Sequence, residues 1–204
     1  MSPTVIELRQ YTLHPGRRDD LIELFDHEFV ESQEALGITV LGQFRDVHDA
    51  NRFVWLRGFI DLASRPESLG AFYGGPVWAA HKDVANATMV TFDDVLLLRP
   101  STPLPTPGER DAETPKSRFV ATIHLAETPW TVETLPKPDA PVLAAFTTLY
   151  AKNNFPTLPI REDVHAYVWF TRFDTAADAE SFVADRTTGD RTLVLAPTAR
   201  SAMR

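Results

Sequence analysis

β-Branched and aromatic residues are frequent along residues 4–13, which predicts a β-strand whose two faces differ. A turn signal at 14–16 ends this strand. One face holds Ile6, Leu8, Gln10 and Thr12, and the other holds Val5, Glu7, Arg9 and Tyr11. We expect Ile6 and Leu8 to pack against helices, so that Glu7, Arg9 and Tyr11 point to the opposite side of the sheet.

The segments that follow predict a complete βαββαβ unit. Apolar residues at three- and four-residue steps predict a helix from after residue 20 to about residue 36, and Gly37 is expected to end it. The β-rich segments at 38–46, 52–60 and 93–99 are predicted strands, and two short helices are predicted near 61–73 and 76–87. This order is that of the ferredoxin-like split unit.

Five prolines lie among residues 100–117, which predicts an extended linker because proline interrupts both helices and central strands. The pattern then restarts. The segment 167–173 matches 53–59 at a spacing of 114 residues, and at that spacing 118–125 falls on 4–11. We interpret this match as a diverged internal repeat.

The repeat predicts a second unit with strands at 118–125, 155–161, 165–173 and 191–196, a shortened helix near 140–152 and a helix at 175–187. We therefore predict a first ferredoxin-like unit at 1–99, a linker at 100–117 and a diverged second unit at 118–204. Each sheet has one face without helices, and packing these two faces together buries both. The predicted fold class is α+β, with both sheets in one α+β barrel whose interior is a candidate ligand cavity.

Composition narrows the classes of protein to consider. The chain is 44% hydrophobic, has a formal net charge of −8 and contains no cysteine. An acidic chain is unsuited to nucleic acid or an anionic membrane surface, and the lack of cysteine excludes disulfides and thiolate metal sites. The sequence has neither a signal-peptide pattern nor an apolar run of about 18 residues, so we expect a cytoplasmic protein without membrane contact. No metal-ligand spacing motif is present, and no metal site is predicted.

The candidate site combines polar and aromatic residues of the first and third strands. We expect the barrel interior to be lined by Glu7, Arg9, Tyr11, Phe53, Trp55 and Arg57. Arginine binds carboxylates and phenolates in pairs of hydrogen bonds and stabilises a developing enolate, which suits an acidic aromatic or polyketide-like substrate. The alternative is that Glu7 and Arg9 only pair with neighbours as buried wall charges.

Two histidines are candidates for proton transfer, since histidine titrates near neutral pH. His81 follows Trp78 by three residues on a predicted helix, so both rings share one face that is expected to close one end of the barrel. The alternative is that His81 lies on the helix surface. His165 begins a strand with Tyr167 two residues later, and we expect both to enter the cavity.

Residues 5–82 resemble the NIPSNAP family. The resemblance is carried by the string from Ile6 to Gly16 (IELRQYTLHPG), the segments 41–44, 54–55 and 61–65, and Trp78. It implies a dimeric α+β barrel, closed within one chain in this case, similar to cofactor-free monooxygenases, small decarboxylases and cyclases, and haem-degrading enzymes. Animal relatives are also linked to protein interactions. The chain departs from the family after Trp55, where Leu56 and Arg57 replace the usual aromatic pattern.

Three functions follow as hypotheses. We expect a cofactor-free enzyme that oxygenates, isomerises or cyclises a small acidic or aromatic metabolite, with catalytic His81, Arg9, Glu7 and Tyr11 and substrate-binding Arg57, Trp55, Phe53, Trp78, His165 and Tyr167. The alternatives are a non-catalytic binding or scaffold module, and a haem protein with His81 or His165 as the iron ligand. The expected partner is a small-molecule ligand, and the expected state is a monomer with a pseudo-dimeric barrel or a homodimer.

Overall fold

Antiparallel strands close into a single barrel within one chain. The computed structural model describes residues 2–110, 113–184, 186 and 191–204, and eight strands in these residues form the barrel. The predicted α+β barrel is confirmed. None of the helices in these ranges is long and apolar enough to cross a membrane.

The first unit has the predicted βαββαβ order. Its strands are β1 (Val5–Leu13), β2 (Thr39–Asp46), β3 (Arg52–Phe59) and β4 (Met89–Pro100), and its helices are α1 (Arg18–Leu24), α2 (Val30–Glu34), α3 (Ser64–Tyr73) and α4 (Pro76–Asn86). A π-helical turn at Phe25–Phe29 connects α1 to α2. Gly37 follows the helical segment with a φ of +80°, a left-handed conformation that glycine adopts without strain, as predicted.

The second unit contributes strands β5 (Arg118–Ala126), β6 (Ala144–Thr148), β7 (His165–Phe173) and β8 (Arg191–Pro197), with helix α5 (Ala176–Ala184) before β8. The two sheets have the same spatial order, β4-β1-β3-β2 and β8-β5-β7-β6. They join at both edges, where β2 pairs with β8 and β4 pairs with β6. The two units therefore form the two halves of one closed barrel.

Two predicted elements of the second unit are wrong. The predicted helix at 140–152 contains strand β6, because this segment pairs with β4 and β7 and the pairing overrides its helical pattern. The predicted strand at 155–161 is a loop that touches the sheet at a single bridge from Arg161 to Leu96. Pro156 and Pro159 remove two backbone donors from it. The predicted helix at 175–187 is confirmed over α5, and residues 185 and 187 lie outside the described residues.

The two faces of β1 are the reverse of the prediction. Ile6 and Leu8 lie inside the barrel, in a core cluster that includes Phe44, Phe119 and Phe170 from the other strands. An eight-stranded barrel is just wide enough for its side chains to fill it, so the polar cavity is not in the interior as predicted. The face with Glu7, Arg9 and Tyr11 packs against the helices instead.

The repeat holds at a spacing of 114 for the third strand of each unit but not for the first. Phe53 lies opposite Tyr11 in the pairing of β1 with β3, and Tyr167 lies opposite His124 in the pairing of β5 with β7. Tyr11 and His124 are therefore equivalent, one residue away from the sequence alignment. A one-residue shift exchanges the two faces of a strand, so the sequence alignment matches residues of β1 and β5 that lie on opposite faces of their strands.

Between the two units, residues 101–110 and 113–117 contain no helix or strand. Arg110 of the linker forms hydrogen bonds with the first unit. Its guanidinium donates to both carboxylate oxygens of Glu34 at 3.1 and 2.7 Å. The division of the chain into parts at this linker stays a prediction.

Candidate functional site

A fully buried charged cluster lies on the outer face of β1 and β3, beneath the helices. Glu7 stands directly opposite Arg57 in the strand pairing, Arg9 is the next residue on the same face of β1, and α3 supplies Arg65. Arg9 Nη1 and Arg57 Nε donate to Glu7 Oε2 at 2.6 and 2.8 Å. Arg65 Nε donates to Glu7 Oε1 at 2.7 Å. All four side chains are completely shielded from solvent.

The cluster carries more positive than negative charge. Three guanidiniums face one carboxylate, and in the part of the chain that the structure describes Glu7 is the only carboxylate that contacts them. Two positive charges are therefore formally in excess. Buried charges are costly unless they are paired and hydrogen-bonded, so this cluster is electrostatically complementary to an anion.

Unpaired donors in the same region support this reading. Arg9 Nη2, Arg65 Nη2 and Trp55 Nε1 are buried and have no hydrogen-bond acceptor among the described residues. Buried donors are normally paired, so each exception needs a reason. A ligand with acceptor oxygens supplies one, because it would accept hydrogen bonds that the protein itself leaves unmade.

The environment shifts the pKa values of the cluster in opposite directions. Burial alone raises the pKa of Glu7, but the guanidiniums of Arg57, Arg9 and Arg65 outweigh it and hold that pKa well below its usual value. Burial alone lowers the pKa of Arg9, yet Tyr11 and Glu7 raise it above its usual value. Burial is also the largest effect on Arg65, and it lowers that pKa. Glu7 is therefore ionised and a weak base.

Aromatic side chains surround the cationic cluster. The guanidinium of Arg9 lies 5.5 Å from the ring centre of Tyr11 and 5.7 Å from that of Trp55, and Arg57 lies 5.2 Å from Trp55. These are cation–π distances. The π-helical turn places Phe25 4.7 Å from Trp55, so the ring stack continues into the helix layer. π-helical turns inside helices are frequent at functional sites.

Two neighbouring cavities, an inner and an outer one, are lined in part by these aromatic side chains, and the arginines of the cluster are not among their lining residues. The inner cavity has a volume of about 30 Å³, and its aromatic lining consists of Tyr11, Phe25, Phe29, Trp55, Phe72, Tyr73 and Trp78. The outer cavity has a volume of about 290 Å³ and shares Tyr11, Tyr73, Trp78 and Met89 with the inner one. The inner volume is close to that of one water, or of a small acidic group, and the outer volume approaches that of small-ligand pockets.

A loop of the second unit covers this site. Arg65 Nη1 donates to the side-chain oxygens of Asn154 at 2.7 Å and Asn153 at 3.2 Å. Phe155 stacks on Tyr73 with ring centres 6.4 Å apart, and Leu158 lines the outer cavity. This is the segment that the sequence analysis predicted as a strand. The second unit therefore completes the site of the first.

The structure brings most of the predicted site residues together. Glu7, Arg9, Tyr11, Trp55 and Arg57 form the cluster or its wall, although on the helix side of the sheet and not inside the barrel as predicted. Two further predicted residues belong to the same region. Phe53 packs on Tyr11 and Phe25, and Trp78 lines both cavities.

The predicted histidines lie elsewhere. His81 is one turn beyond Trp78 on α4, with its Nε2 atom 3.6 Å from Glu28 Oε2, and it is not among the described residues that line either cavity. Its predicted place at an end of the barrel is wrong, because α4 lies on the outer side of the sheet.

His165 and Tyr167 do not enter the cavity as predicted. His165 Nδ1 is 3.0 Å from the Tyr150 hydroxyl, and Tyr167 belongs to a separate cluster with Trp169 on the outer face of the second unit. Alternation along β7 turns this face away from the barrel interior, where both residues were expected, and the site itself lies on the outer face of the other unit.

Two site residues were missed from the sequence, Arg65 and Tyr73. Arg65 shares one helix face with Leu69 and Phe72, at steps of four and three residues, and this spacing was available as a signal. Tyr73 ends α3 beside Gly74, and no periodicity distinguishes it. Among the described residues, no group of three or more histidine, cysteine or acidic side chains is placed to hold a metal ion.

Two solved structures are similar to this chain in overall fold. A Fusobacterium nucleatum protein provisionally named a monooxygenase is 10% identical, with 96% of this chain and 93% of that chain covered and a TM-score of 0.57. A Lactobacillus acidophilus protein, also provisionally named a monooxygenase, is 10% identical with 96% and 94% covered and a TM-score of 0.54. This chain is similar to both in fold, that of a closed ferredoxin-like barrel.

The family follows from the first unit. The NIPSNAP family model matches residues 6–102, which include Glu7, Arg9, Arg57 and Arg65. A NIPSNAP-like domain protein from Burkholderia xenovorans is 24% identical over 52% of this chain and 94% of its own, with a TM-score of 0.45. No curated protein matches the sequence. Residues 6–102 are therefore a NIPSNAP domain, which confirms the resemblance.

Proposed function

We propose that this protein binds a small acidic aromatic metabolite in the two cavities between β1, β3 and the helices, and acts on it without a cofactor. The observation that carries the proposal is the excess of buried positive charge, three guanidiniums against Glu7 alone. In this arrangement an acidic group of the ligand lies near the guanidiniums, and its ring occupies the aromatic outer cavity.

The same charges suit a class of reaction. Cofactor-free oxygenation, isomerisation and cyclisation of an enolisable substrate all begin with loss of a proton, which leaves negative charge on an oxygen. Preorganised cations in a water-poor site stabilise such a charge strongly. Glu7 holds the guanidiniums in place and is too weak a base to take the proton. His81 was predicted as the general base, but it is not among the described residues that line either cavity, so the proposal gives it no contact with the ligand.

Two proteins of similar fold are provisionally named monooxygenases. They suggest one specific form of the proposed reaction, in which the substrate anion reacts with dioxygen. The likeness to them is one of fold, and fold alone leaves the reaction open. The scaffold and haem alternatives stay predictions, as do the oligomeric state and the cytoplasmic location.

Ligand binding tests the proposal directly. We expect 2-naphthoate to bind the wild-type protein in isothermal titration calorimetry, and 2-naphthamide, of the same shape without the charge, to bind at least about tenfold more weakly. Arg9→Met should lose naphthoate binding. Arg17→Met is the matched control, because Arg17 is an exposed arginine paired with Asp20 on the surface. Equal binding of both compounds, or unchanged binding to Arg9→Met, contradicts the proposal.

Catalysis needs a separate measurement. Exchange of the α-protons of 2-tetralone for deuterium in D2O reports formation of its enolate, and NMR follows it. We expect the wild-type protein to accelerate the exchange over buffer and Arg9→Met to lose the acceleration, because stabilisation of the enolate oxygen requires the cationic cluster. Binding of naphthoate without any acceleration would leave a binding protein and overturn the enzymatic part.

A further inference from the structure

Two tyrosine hydroxyls of the site are each held by a different buried arginine. Arg9 Nε donates to the Tyr11 hydroxyl at 3.0 Å, and Arg57 Nη1 donates to the Tyr73 hydroxyl at 3.3 Å. Tyr11 comes from β1 and Tyr73 from the end of α3, so two separate elements bring these phenols to one place. Both residues line both cavities.

The hydrogen bonds from the arginines leave both phenol hydroxyls available as donors. A phenol oxygen accepts hydrogen bonds and has one proton to donate. Because an arginine already donates to each oxygen, each O–H proton is left for another acceptor, and among the described residues no acceptor for either proton is found. A hydrogen bond received from a guanidinium also polarises the phenol and strengthens its own donation.

Tyr11 is a protonated donor at neutral pH. Burial raises the pKa of Tyr11, and Arg9 acts in the opposite direction without cancelling the effect. Tyr11 and Tyr73 both line the inner cavity of about 30 Å³, which places the two side chains near one another. A phenol that is neutral at this pH donates to an anion without adding negative charge of its own.

We propose that Tyr11 and Tyr73 form a paired oxyanion site, in which both phenols donate to the same enolate or phenolate oxygen of the ligand. This inference rests on the proposed function and deepens it. It specifies a ligand with a carbonyl or hydroxyl oxygen on or beside its aromatic ring, and it assigns Tyr73 to the binding of that oxygen. Arg9 and Arg57 act on the oxygen through the phenols as well as through their charge.

The ionisation of bound 2-naphthol tests the pair, because naphtholate absorbs at longer wavelength than naphthol. We expect the wild-type protein to lower the pKa of bound 2-naphthol by at least about one unit, a tenfold preference for the anion. Tyr11→Phe and Tyr73→Phe should each reduce naphtholate affinity about tenfold and reverse part of the spectral shift. Tyr150→Phe, which alters an exposed tyrosine outside the site, is the control and should change neither.

The possible results separate this inference from the proposed function. If neither naphthol nor naphthoate binds the wild-type protein, both are overturned. If naphtholate binds the wild type and both phenylalanine variants equally, only the paired oxyanion site is overturned. Thermal unfolding of each variant establishes that it is folded. Should Tyr11→Phe fail to fold, Tyr73→Phe decides the matter, since Tyr73 is only half-buried and its hydroxyl has no structural partner except Arg57 among the described residues.

Discussion

Arg65 on α3 donates from Nη1 to the side-chain oxygen of Asn154 at 2.7 Å, and this hydrogen bond ties the loop of the second unit to the charged cluster of the first. The two residues are separated by 89 positions in the chain. Asn154 also donates to the backbone carbonyl of Leu62 at 2.7 Å, at the start of the same helical region. The loop is thus attached to the first unit at two points beside the site.

Removal of Asn154 should loosen this loop. We expect Asn154→Ala to lower the free energy of unfolding by about 1–3 kcal/mol, because a hydrogen bond to a charged group is lost. Amide hydrogen exchange should rise over residues 151–160 and little elsewhere. Asn51→Ala, at a half-buried turn away from the site, is the control. Unchanged exchange in the loop would show that Asn154 does not hold it.

Glu7 should be the residue whose charge matters most for stability. Glu7→Gln leaves three buried guanidiniums without a counter-charge, and breaking a buried ion pair in this way costs about 3–5 kcal/mol. Urea unfolding at neutral pH measures the change. Glu127→Gln, which removes an exposed carboxylate, should change stability by less than about 0.5 kcal/mol. A loss below about 1 kcal/mol for Glu7→Gln would contradict the charge balance described above.

Acid should diminish the difference between wild type and Glu7→Gln. The pKa of Glu7 in the folded state lies below its ordinary value of 4.5, so the unfolded chain binds a proton at pH values where the folded protein does not. The stabilisation by Glu7 is therefore fully present above pH 4.5 and is lost as the pH falls from there towards the folded-state pKa. The difference between the unfolding midpoints of the two proteins should therefore be smaller at about pH 3.5 than at about pH 6. A difference that stays constant or grows in acid contradicts the assignment.

Substitution of Arg9 should change the free energy of unfolding less than substitution of Glu7. Arg9→Met removes one of the excess positive charges and leaves Glu7 paired with Arg57 and Arg65. We expect a change in unfolding free energy of less than about 1 kcal/mol, or a gain, since replacing a buried charge by an apolar group is often neutral or stabilising. A small change in stability together with the loss of naphthoate binding would mean that Arg9 serves ligand binding and not stability. A loss of several kcal/mol in urea unfolding would instead make Arg9 a structural ion-pair partner.

The sequence predicted the barrel but placed its polar row on the wrong side. Alternation along β1 separates Glu7 and Arg9 from Ile6 and Leu8, yet both sets are buried, one against helices and one inside the barrel. Periodicity therefore identifies two faces without saying which one turns inward. In this chain apolar side chains from both units fill the interior, as an eight-stranded barrel allows, and the polar row lies outside it.

The second unit was harder to predict because long-range pairing decides its structure. The repeat predicted residues 144–148 as part of a helix, but they form β6 through pairing with β4 and β7. The loop with Asn154 carries no local signal for its contact with Arg65. The part of the site that one strand pair supplies, Glu7 with Arg57 and Trp55, was predicted, and the part that tertiary packing supplies was not.

The most direct test of the anion site is a crystal structure with 6-bromo-2-naphthoate, whose bromine is located by its anomalous scattering. We expect the bromine in the outer cavity near Phe92. We expect the carboxylate within about 3 Å of the unpaired guanidinium nitrogens of Arg9 or Arg65. A carboxylate that faces solvent while the ring fills the inner end, or a ligand bound away from β1 and β3, would contradict the claim that the buried positive charge exists to hold an anion.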